Sequence, residues 1–480
     1  MLFNSLVFLI FLAIFLLLWG WVKGHTLPRL GLIFAASSIF YGWWDWRFLF
    51  LIYFTGTVDF FLARGIEYCR KKGTGNWVPR IMLIASIVCG IGILSIFKYS
   101  SFFAEHLNSV LRLCKIDFDL AAHIPAFCLI LPVGISFYTF QSLSYTIDVY
   151  RGRLQATHSL LHYMSYLMLF PQLVAGPIVR ASDLLPKLLM QPAATATVRY
   201  NALKMVALGF FKKCVLADNA AGIVDAAFSS PQAYNGSFTW LFVMVMFSIQ
   251  IYCDFSGYSD IARGIIKFMG YRFNLNFNHP YAACGLRDFW SRWHISLSSW
   301  FKDYVYIPLG GSRKGRFREC LNLLITFLIS GLWHGASMNF VIWGAYHGIL
   351  QIVEKVSGLT GFLSNLRNRW LIALFMLLTQ LTVLIGWIFF RASTWSDSMY
   401  ILRCLTGFAS ERGAWEMESW WWIILIIFIA MEMFLLLRID CKLLRKVAWY
   451  RRWEPIGIGL LMVATVLYRG EVYGFIYFQF

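Results

Sequence analysis

The stretch DFWSRWHISLSSWFKDYVYIPLGGSRKGRFRECLNLLITFLISGLWHG, residues 288–335, decides how the rest of the chain is interpreted. It places His294 before a basic run and His334 at the end of a largely apolar run. At a helical rise of about 1.5 Å per residue, His334 should lie about 20 Å beyond the basic run, most of the way across a bilayer. Because an ionisable group at that depth is costly, a histidine there is a functional candidate.

The composition predicts an all-α polytopic membrane protein. Hydrophobic residues make up 59% of the 480 positions and charged residues 14%, which is more apolar surface than one soluble core absorbs. The net charge of +18 could indicate a nucleic-acid partner, but the basic residues form short clusters between apolar runs, as cytoplasmic loops do. We therefore expect contact with membrane lipids and no nucleic acid. The ten cysteines include no CxxC pair, and we expect no metal site.

Segment lengths predict about eleven transmembrane helices, with re-entrant or interfacial helices between them. Basic clusters at residues 70–72, 313–318 and 438–452 are expected on the cytoplasmic side. Counting crossings from these clusters places the N-terminus and the C-terminus outside the cytoplasm. Since no repeat or soluble domain is evident, residues 1–480 are predicted to form a single integral membrane domain.

Residues 286–303 are predicted to form one amphipathic helix that does not cross the membrane. Its aromatic face would include His294, with Arg287 and Ser298 beside the histidine. One interpretation is an interfacial anchor in which the histidine is incidental. The other is that His294 lines the entrance to a polar cavity.

The run that ends in His334 carries a polar stripe at every fourth position, formed by Asn322, Thr326 and Ser330. Such a stripe suggests a passage lined by water or substrate, although these residue types also hold membrane helices together. Gly331 and Gly335 would permit a local break in the helix near His334.

Other polar residues give weaker signals. Asp254 follows a long apolar run and could carry protons, but its SGYSD context favours a helix cap. The sequence lacks the GxSxG, HEXXH and GxxxxGK[ST] motifs, which removes support for serine hydrolases, zinc proteases and ATP-driven transport. Two possibilities remain for a buried histidine: a general base for acyl transfer to a hydroxyl, or a proton relay in a transporter.

Several runs closely resemble the membrane-bound O-acyltransferase family, in particular its bacterial branch. The resemblance covers most of residues 130–348 and the aromatic C-terminal tail, residues 471–480. The runs that carry it are FPQLVAGPIVR (170–180), QIYCDFSGYSDIARG (250–264), LNFNHPY (275–281), RDFWSRWHISLSSWFKDYVYIPLGGSRKG (287–315), GLWHGASMNFVIWGAYHG (331–348) and FIYFQF (475–480).

The resemblance implies a ring of helices around a central tunnel, with His334 as the catalytic histidine and His294 as a second tunnel histidine. Trp333 and Asp254 are then expected along the tunnel with the polar stripe. It also implies an enzyme of the bacterial cytoplasmic membrane, with no permanently bound cofactor, that takes acetyl groups from acetyl-CoA. The acceptor would be a polysaccharide, alginate first, and an extracytoplasmic acetyltransferase-like or esterase-like partner would complete delivery.

Alternatives to this assignment remain. The same chemistry could serve peptidoglycan or cellulose, or transfer D-alanyl groups to teichoic acid, and a different class would be a non-enzymatic flippase of an acylated carrier. The basic residues Arg313, Lys314, Arg316 and Arg318 could contact the phosphates of CoA or only fix membrane orientation. In the tail, Tyr477 could relay the acyl group, dock the partner or belong to an interfacial anchor.

Overall fold

The computed structural model describes residues 1–73, 75–116, 118–174, 176–407, 419–439 and 448–476. Over these ranges the chain forms helices and helical turns and contains no strand, so the all-α prediction is confirmed. The chain groups into two compact units: one comprises residues 1–202 and 262–274, and the other residues 203–261 and 275–480. The sequence analysis did not anticipate this division, and the single-domain assignment stays a prediction.

Among the helices that begin before residue 203, two show a capping residue with a clear physical role. Ser5 caps the first helix, because its hydroxyl accepts a hydrogen bond from Phe8 N, and Gly73 ends the third in a left-handed conformation. The helices are α1 (Leu6–Val22), α2 (Thr26–Asp45), α3 (Leu49–Lys72), α4 (Trp77–Lys98), α5 (Ser100–Leu113), α6 (Ile135–Tyr150), α7 (Leu160–Leu167), α8 (Phe170–Leu173), α9 (Ala181–Leu189) and α10 (Ala196–Phe211).

The later helices include those that position the two histidines. They are α11 (Asp218–Ser229), α12 (Ser237–Met269), α13 (Leu286–Arg292), α14 (Ile295–Phe301), α15 (Arg316–His334), α16 (Met338–Val356), α17 (Leu359–Ser364), α18 (Arg369–Arg391), α19 (Trp395–Leu405), α20 (Ser419–Ile439) and α21 (Ala448–Leu467). Two wider π-helical turns, Lys212–Ala217 and Lys302–Tyr306, follow α10 and α14 directly. Short 3₁₀ turns lie at Trp46–Phe48, Ala121–His123, Ala126–Leu129, Pro231–Ala233 and Pro280–Ala282.

Four helical stretches among the described residues are long and apolar enough to cross a membrane, by length and composition. They are Thr26–Lys72, Trp77–Lys98, Ser237–Met269 and Arg369–Arg391, and shorter apolar helices occupy Leu6–Val22 and Trp420–Leu436. A span needs about 20 residues, so these stretches are consistent with a chain that crosses repeatedly. The count of about eleven crossings and the ring around a tunnel stay predictions.

The expectation of one continuous helix over residues 286–303 is wrong. The structure has two short helices, α13 and α14, and the chain turns sharply between them at Trp293 and His294. Trp293 is extended and His294 has φ 42° and ψ 54°, which is the left-handed region. The spacing of aromatic residues in this segment was compatible with one helix. Hydrophobic periodicity does not reveal a single residue whose backbone conformation lies outside the right-handed helical region.

The helices α15 and α16 form a tight antiparallel pair, because glycines let their backbones approach. A Cβ added at Gly331 would lie 2.2 Å from Phe340 O, and one added at Gly344 would lie 2.4 Å from Phe327 O. Close approach of this kind is typical of membrane helix pairs with small residues at the interface. Gly331 therefore serves packing within a continuous helix, and the expected break falls only at Gly335, after the helix has ended.

Replacing Gly344 with alanine should destabilise this pair. In an open helix position the change stabilises by about 0.5–1 kcal/mol, but here the new methyl group meets backbone, and such overpacking costs about 1–3 kcal/mol. We expect a lower midpoint of thermal unfolding in detergent. The matched control is Gly92→Ala in α4, where a Cβ meets no atom within 4 Å. An unfolding midpoint for Gly344→Ala equal to or above that of the control contradicts the packing argument.

Candidate active site

A cavity of about 390 Å³ brings together the two histidines that the sequence singled out. Its lining includes His294 at the break between α13 and α14 and His334 at the end of α15, forty positions later. The remaining lining residues are Arg287, Trp290, Trp293, Leu297, Ser298, Phe301, Lys302, Tyr306, Ser312, Glu319, Leu323, Thr326, Phe327, Ser330, Gln351, Lys355 and Thr360. The cavity thus joins a mostly aromatic region around the histidines to a region rich in charged residues.

His334 is the last residue of α15 and is only 4% exposed. Aromatic rings surround its imidazole, with ring-centroid distances of 5.0 Å to Trp333, 5.0 Å to Trp343 and 5.2 Å to Phe390. The carboxyl end of a helix carries partial negative charge, which favours a cation within the last turn. His334 is therefore placed where the imidazolium formed by accepting a proton is stabilised by the helix.

His294 is also buried, at 1% exposed, and its ring packs edge-on against Phe255 with centroids 4.5 Å apart. Trp333 lies beside both histidines, 6.2 Å from the His294 ring and 5.0 Å from the His334 ring. Burial lowers the pKa of His294 because the surroundings disfavour the charged form. The imidazole is consequently neutral near pH 7, as a hydrogen-bonding catalytic or positioning group requires.

The predicted polar stripe only partly reaches the cavity. Thr326 and Ser330 line it, as do Arg287 and Ser298, whereas Asn322 does not. The Asn322 side chain is fully buried and donates from Nδ2 to Gly311 O at 3.0 Å, which ties the loop before α15 to the helix. Its placement as a passage-lining residue is thus corrected to a loop anchor. Trp333 is likewise outside the lining and acts through its ring contacts with the histidines.

Charged residues at the other part of the cavity were missed by the sequence analysis. Lys302, Glu319 and Lys355 all line it, and Lys355 forms an ion pair with Glu319. Tyr306 OH also donates to Glu319 Oε1 at 3.3 Å. The four basic residues singled out for CoA phosphates are exposed and lie outside the lining: Arg313, Lys314, Arg316 and Arg318.

A second missed residue is Glu354, a buried acid near the end of α16. Its carboxylate accepts hydrogen bonds from Leu286 N at 2.6 Å and from Thr360 Oγ1 at 3.1 Å. It therefore caps the first turn of α13, where unpaired N–H groups and the helix dipole favour an anion. The sequence signal that could have identified Glu354 is that it is a single acidic residue at the end of an apolar run.

Asp254 is neither a helix cap nor a cavity-lining residue, and its suggested role as a proton carrier stays a prediction. The helix α12 continues through residues 254–260, so Asp254 does not cap a helix, and it is not part of the cavity lining. Its carboxylate forms an ion pair with Lys213 at 2.8 Å and accepts from Ile476 N at 2.7 Å. Lys213 also pairs with Asp218 at 2.8 Å. Asp254 is therefore an anchor for the C-terminal segment.

Two residues of the described part of the tail are buried and lie behind His294. Phe475 and Ile476 are 2% and 1% exposed, and the Phe475 ring contacts Phe255 with centroids 5.4 Å apart. Phe255 in turn packs on His294. Tyr477 lies outside the described residues, so its three possible roles stay predictions.

The side chains of the cavity can support proton transfer at the two histidines. Among the described residues, no group of three or more histidine, cysteine or acidic side chains is arranged to hold a metal ion. A third buried histidine, His347, is separated from the cavity by aromatic rings, with Trp343 contacting both His334 and His347 at 5.0 Å. A neutral imidazole in a confined, aromatic cavity can accept a proton from a hydroxyl and return it to a leaving group.

Comparisons with known proteins show to which family the chain is similar. The model of the membrane-bound O-acyltransferase family matches residues 149–372. A probable alginate O-acetylase of Pseudomonas aeruginosa is 37% identical over 424 residues, which cover 87% of this chain and 76% of the relative. A peptidoglycan O-acetyltransferase of Helicobacter pylori is 32% identical, covering 85% of this chain and 80% of the relative. A teichoic acid D-alanyltransferase of Bacillus subtilis is 28% identical, covering 56% and 70%.

Removing the Asp254 carboxylate charge should release the tail. In Asp254→Asn the ion pair with Lys213 is lost, so this buried cation keeps only Asp218 as its partner. The neutral amide oxygen of asparagine is also a weaker acceptor for Ile476 N than the carboxylate. We expect amide hydrogen exchange in residues 470–476 to rise by about 5- to 150-fold, since the loss of a buried hydrogen bond costs about 1–3 kcal/mol. Asp45→Asn, which disrupts the exposed pair with Arg47, is the control. Unchanged protection in Asp254→Asn contradicts the anchor assignment.

Proposed function

The chain belongs to the membrane-bound O-acyltransferase family, and from that premise we propose that it moves an acetyl group from acetyl-CoA onto a polysaccharide, with alginate as the first candidate. The chain is an O-acyltransferase by its family, and its apolar helices make it a multi-pass membrane protein. The observation that carries the proposal is the single cavity lining shared by His294, His334 and the cationic side chains Arg287, Lys302 and Lys355.

The charged part of the cavity suits the phosphate-bearing end of the donor. Arg287 and Lys302 are cavity-lining cations, and Lys355 shares its charge with Glu319. Phosphate groups bind arginine and lysine through charge-assisted hydrogen bonds. A donor held there by its phosphates would extend its thioester towards the histidines. This arrangement moves the donor contact from the exposed Arg313–Arg318 region to the cavity itself.

His334 is the general base in this scheme. Its imidazole takes the proton of the acceptor hydroxyl as the oxygen attacks the thioester carbonyl, so the new C–O ester bond forms and the C–S bond breaks. The proton then passes from the imidazolium to the departing thiolate, which leaves as free CoA. The position of His334 at the carboxyl end of α15 supports the transient imidazolium.

His294 positions the thioester or polarises its carbonyl. Its ring is neutral and packs against Phe255 and Trp333, which fixes the direction from which it can contact the thioester. Thr326 and Ser330 add hydroxyl groups to the lining on the same helix as His334. Together these side chains give an acyl group a defined orientation with respect to the base.

We place the protein in the bacterial cytoplasmic membrane, with both termini outside the cytoplasm and the donor entering from the cytoplasmic side. An extracytoplasmic acetyltransferase-like or esterase-like partner would complete delivery to the glycan. Alginate is supported by the relatives at 37% identity and peptidoglycan by the relative at 32%. Comparing acetyl esters on isolated envelope glycans from cells with and without the gene separates these acceptors.

His334→Ala should reduce acetyl transfer by about two to four orders of magnitude, because a general base contributes about that much. Binding of acetyl-CoA should be retained, since the phosphate contacts lie elsewhere in the cavity. The measurement is release of free CoA by purified protein in detergent, alongside equilibrium binding of the donor. Exposed His106 in α5 provides the control variant His106→Ala.

Two results would contradict the assignment. A His334→Ala protein that retains most of its activity would falsify the role of His334 as the base. Wild-type protein that releases no CoA but moves an acylated carrier between membrane leaflets would instead favour the flippase.

Donor binding is tested by replacing the cavity-lining cations. Arg287→Gln with Lys302→Gln should raise the Kd for acetyl-CoA by about tenfold, because each exposed charge contact is worth up to about 1 kcal/mol. Measuring in detergent removes any effect on membrane orientation. The comparison variant replaces Arg313, Lys314, Arg316 and Arg318 with glutamine and should leave the Kd unchanged. If only this comparison variant weakens binding, the phosphates dock outside the cavity as the sequence first suggested.

A further inference from the structure

His294 has a left-handed backbone conformation, which contacts with neighbouring residues must stabilise. Among the described residues, only Lys115, His279 and His294 combine a side chain with positive φ. A residue with a Cβ adopts this conformation uncommonly, and such residues often lie at functional sites where the surroundings hold them. The groups that enforce it at His294 therefore determine where the imidazole points.

Asn276, in the loop before the turn Pro280–Ala282, makes those contacts. Its backbone carbonyl accepts from Ile295 N at 2.9 Å, and its Oδ1 accepts from Ser296 N at 3.2 Å and from Ser296 Oγ at 2.8 Å. Ile295 and Ser296 are the two residues that follow His294, in the first turn of α14. Asn276 thus occupies the place of a helix cap that the histidine, as the residue preceding α14, does not provide.

The carboxamide is itself fixed from a second direction. Asn276 is fully buried, and its Nδ2 donates to Ser259 Oγ in α12 at 3.2 Å. The neighbouring Asn278 N also donates to Arg292 O, at the end of α13, at 2.9 Å. The Asn276 side chain therefore donates to the long helix α12 and accepts from the turn that carries His294, which joins these two elements.

We propose that Asn276 is a positioning residue that acts through His294: its carboxamide holds the left-handed turn and so aims the imidazole into the cavity. This inference deepens the proposed function and depends on its assignment of a role to His294. The Ser296 hydroxyl, which donates to Asn276 Oδ1, also lies 3.5 Å from His294 Nδ1. The contacts of Asn276 therefore extend both to the backbone that follows His294 and to the His294 ring. Asn276 does not itself line the cavity, and no contact with substrate is assigned to it.

The test is a double-mutant cycle on acetyl transfer with acetyl-CoA. Asn276→Ala should lower kcat by about 10- to 100-fold, the loss expected from misplacing a reacting group by about 1 Å, with KM for the donor within about twofold. His294→Ala should lower kcat at least as much. Because Asn276 acts through His294, the double variant should be no slower than His294→Ala alone.

Asn108→Ala is the matched control. Asn108 is a buried asparagine in α5 that likewise donates and accepts through its carboxamide, to Asp119 Oδ1 at 2.6 Å and from Leu120 N at 2.9 Å. Its replacement removes the same kind of bonds away from the cavity and should leave kcat unchanged. If Asn276→Ala does not accumulate, Ser296→Ala, which removes only the hydroxyl partner of Oδ1, replaces it in the cycle.

The outcomes separate this proposal from the proposed function. If His294→Ala loses activity while Asn276→Ala and Ser296→Ala keep it, or if the losses multiply in the double variant, the positioning role is wrong. If His294→Ala is fully active, the role assigned to His294 fails first. A readout without turnover is the NMR signal of labelled histidines: Asn276→Ala should shift the resonance that His294→Ala removes. An unshifted resonance overturns the proposal even if acetyl-CoA is not the donor.

Discussion

His294 is held in a left-handed backbone conformation, and the geometry of the cavity depends on how the protein satisfies that turn. The break ends α13 and starts α14, which leaves backbone N–H groups that need partners in a largely apolar protein. Asn276 supplies acceptors for the first turn of α14, and the Glu354 carboxylate does the same for α13. Because the first turn of each of these two helices finds its acceptors inside the protein, the short irregular segment between the helices can present a histidine.

His334 reaches the same cavity by a different route. The helix α15 runs without interruption to this histidine, and glycines on α15 and α16 bring the two helices into close contact behind it. Trp343, on the partner helix, packs against the His334 ring, and Trp333 connects the two histidines. Regular helix packing therefore positions His334, whereas a turn held by the hydrogen bonds of Asn276 positions His294. The charged lining residues give the other part of the cavity a polar character.

Much of the fold and part of the site could be predicted from sequence. Apolar segment lengths indicate membrane helices because a bilayer requires about 20 residues per span, and this constraint is local. Thr326, Ser330 and His334 share a helix face by their spacing, and all three line the cavity. Asn322 shows the same spacing but turns out to anchor Gly311, because periodicity gives a face and not the neighbour against which that face packs. Asp254 was misassigned for the same reason: its partners, Lys213 and Ile476, are remote in sequence.

The sequence by itself determined the all-α membrane class, the family and the two histidines, because composition, segment length and short motifs are properties of contiguous residues. Only the tertiary structure decided that the chain breaks at His294, that Asn276 holds this break and Glu354 caps the start of α13, and that Lys302 and Lys355 join Arg287 in the cavity lining. These features arise from contacts between segments distant along the chain. A left-handed residue and a buried carboxylate are costly in isolation, and they persist only where a folded neighbourhood supplies their hydrogen bonds.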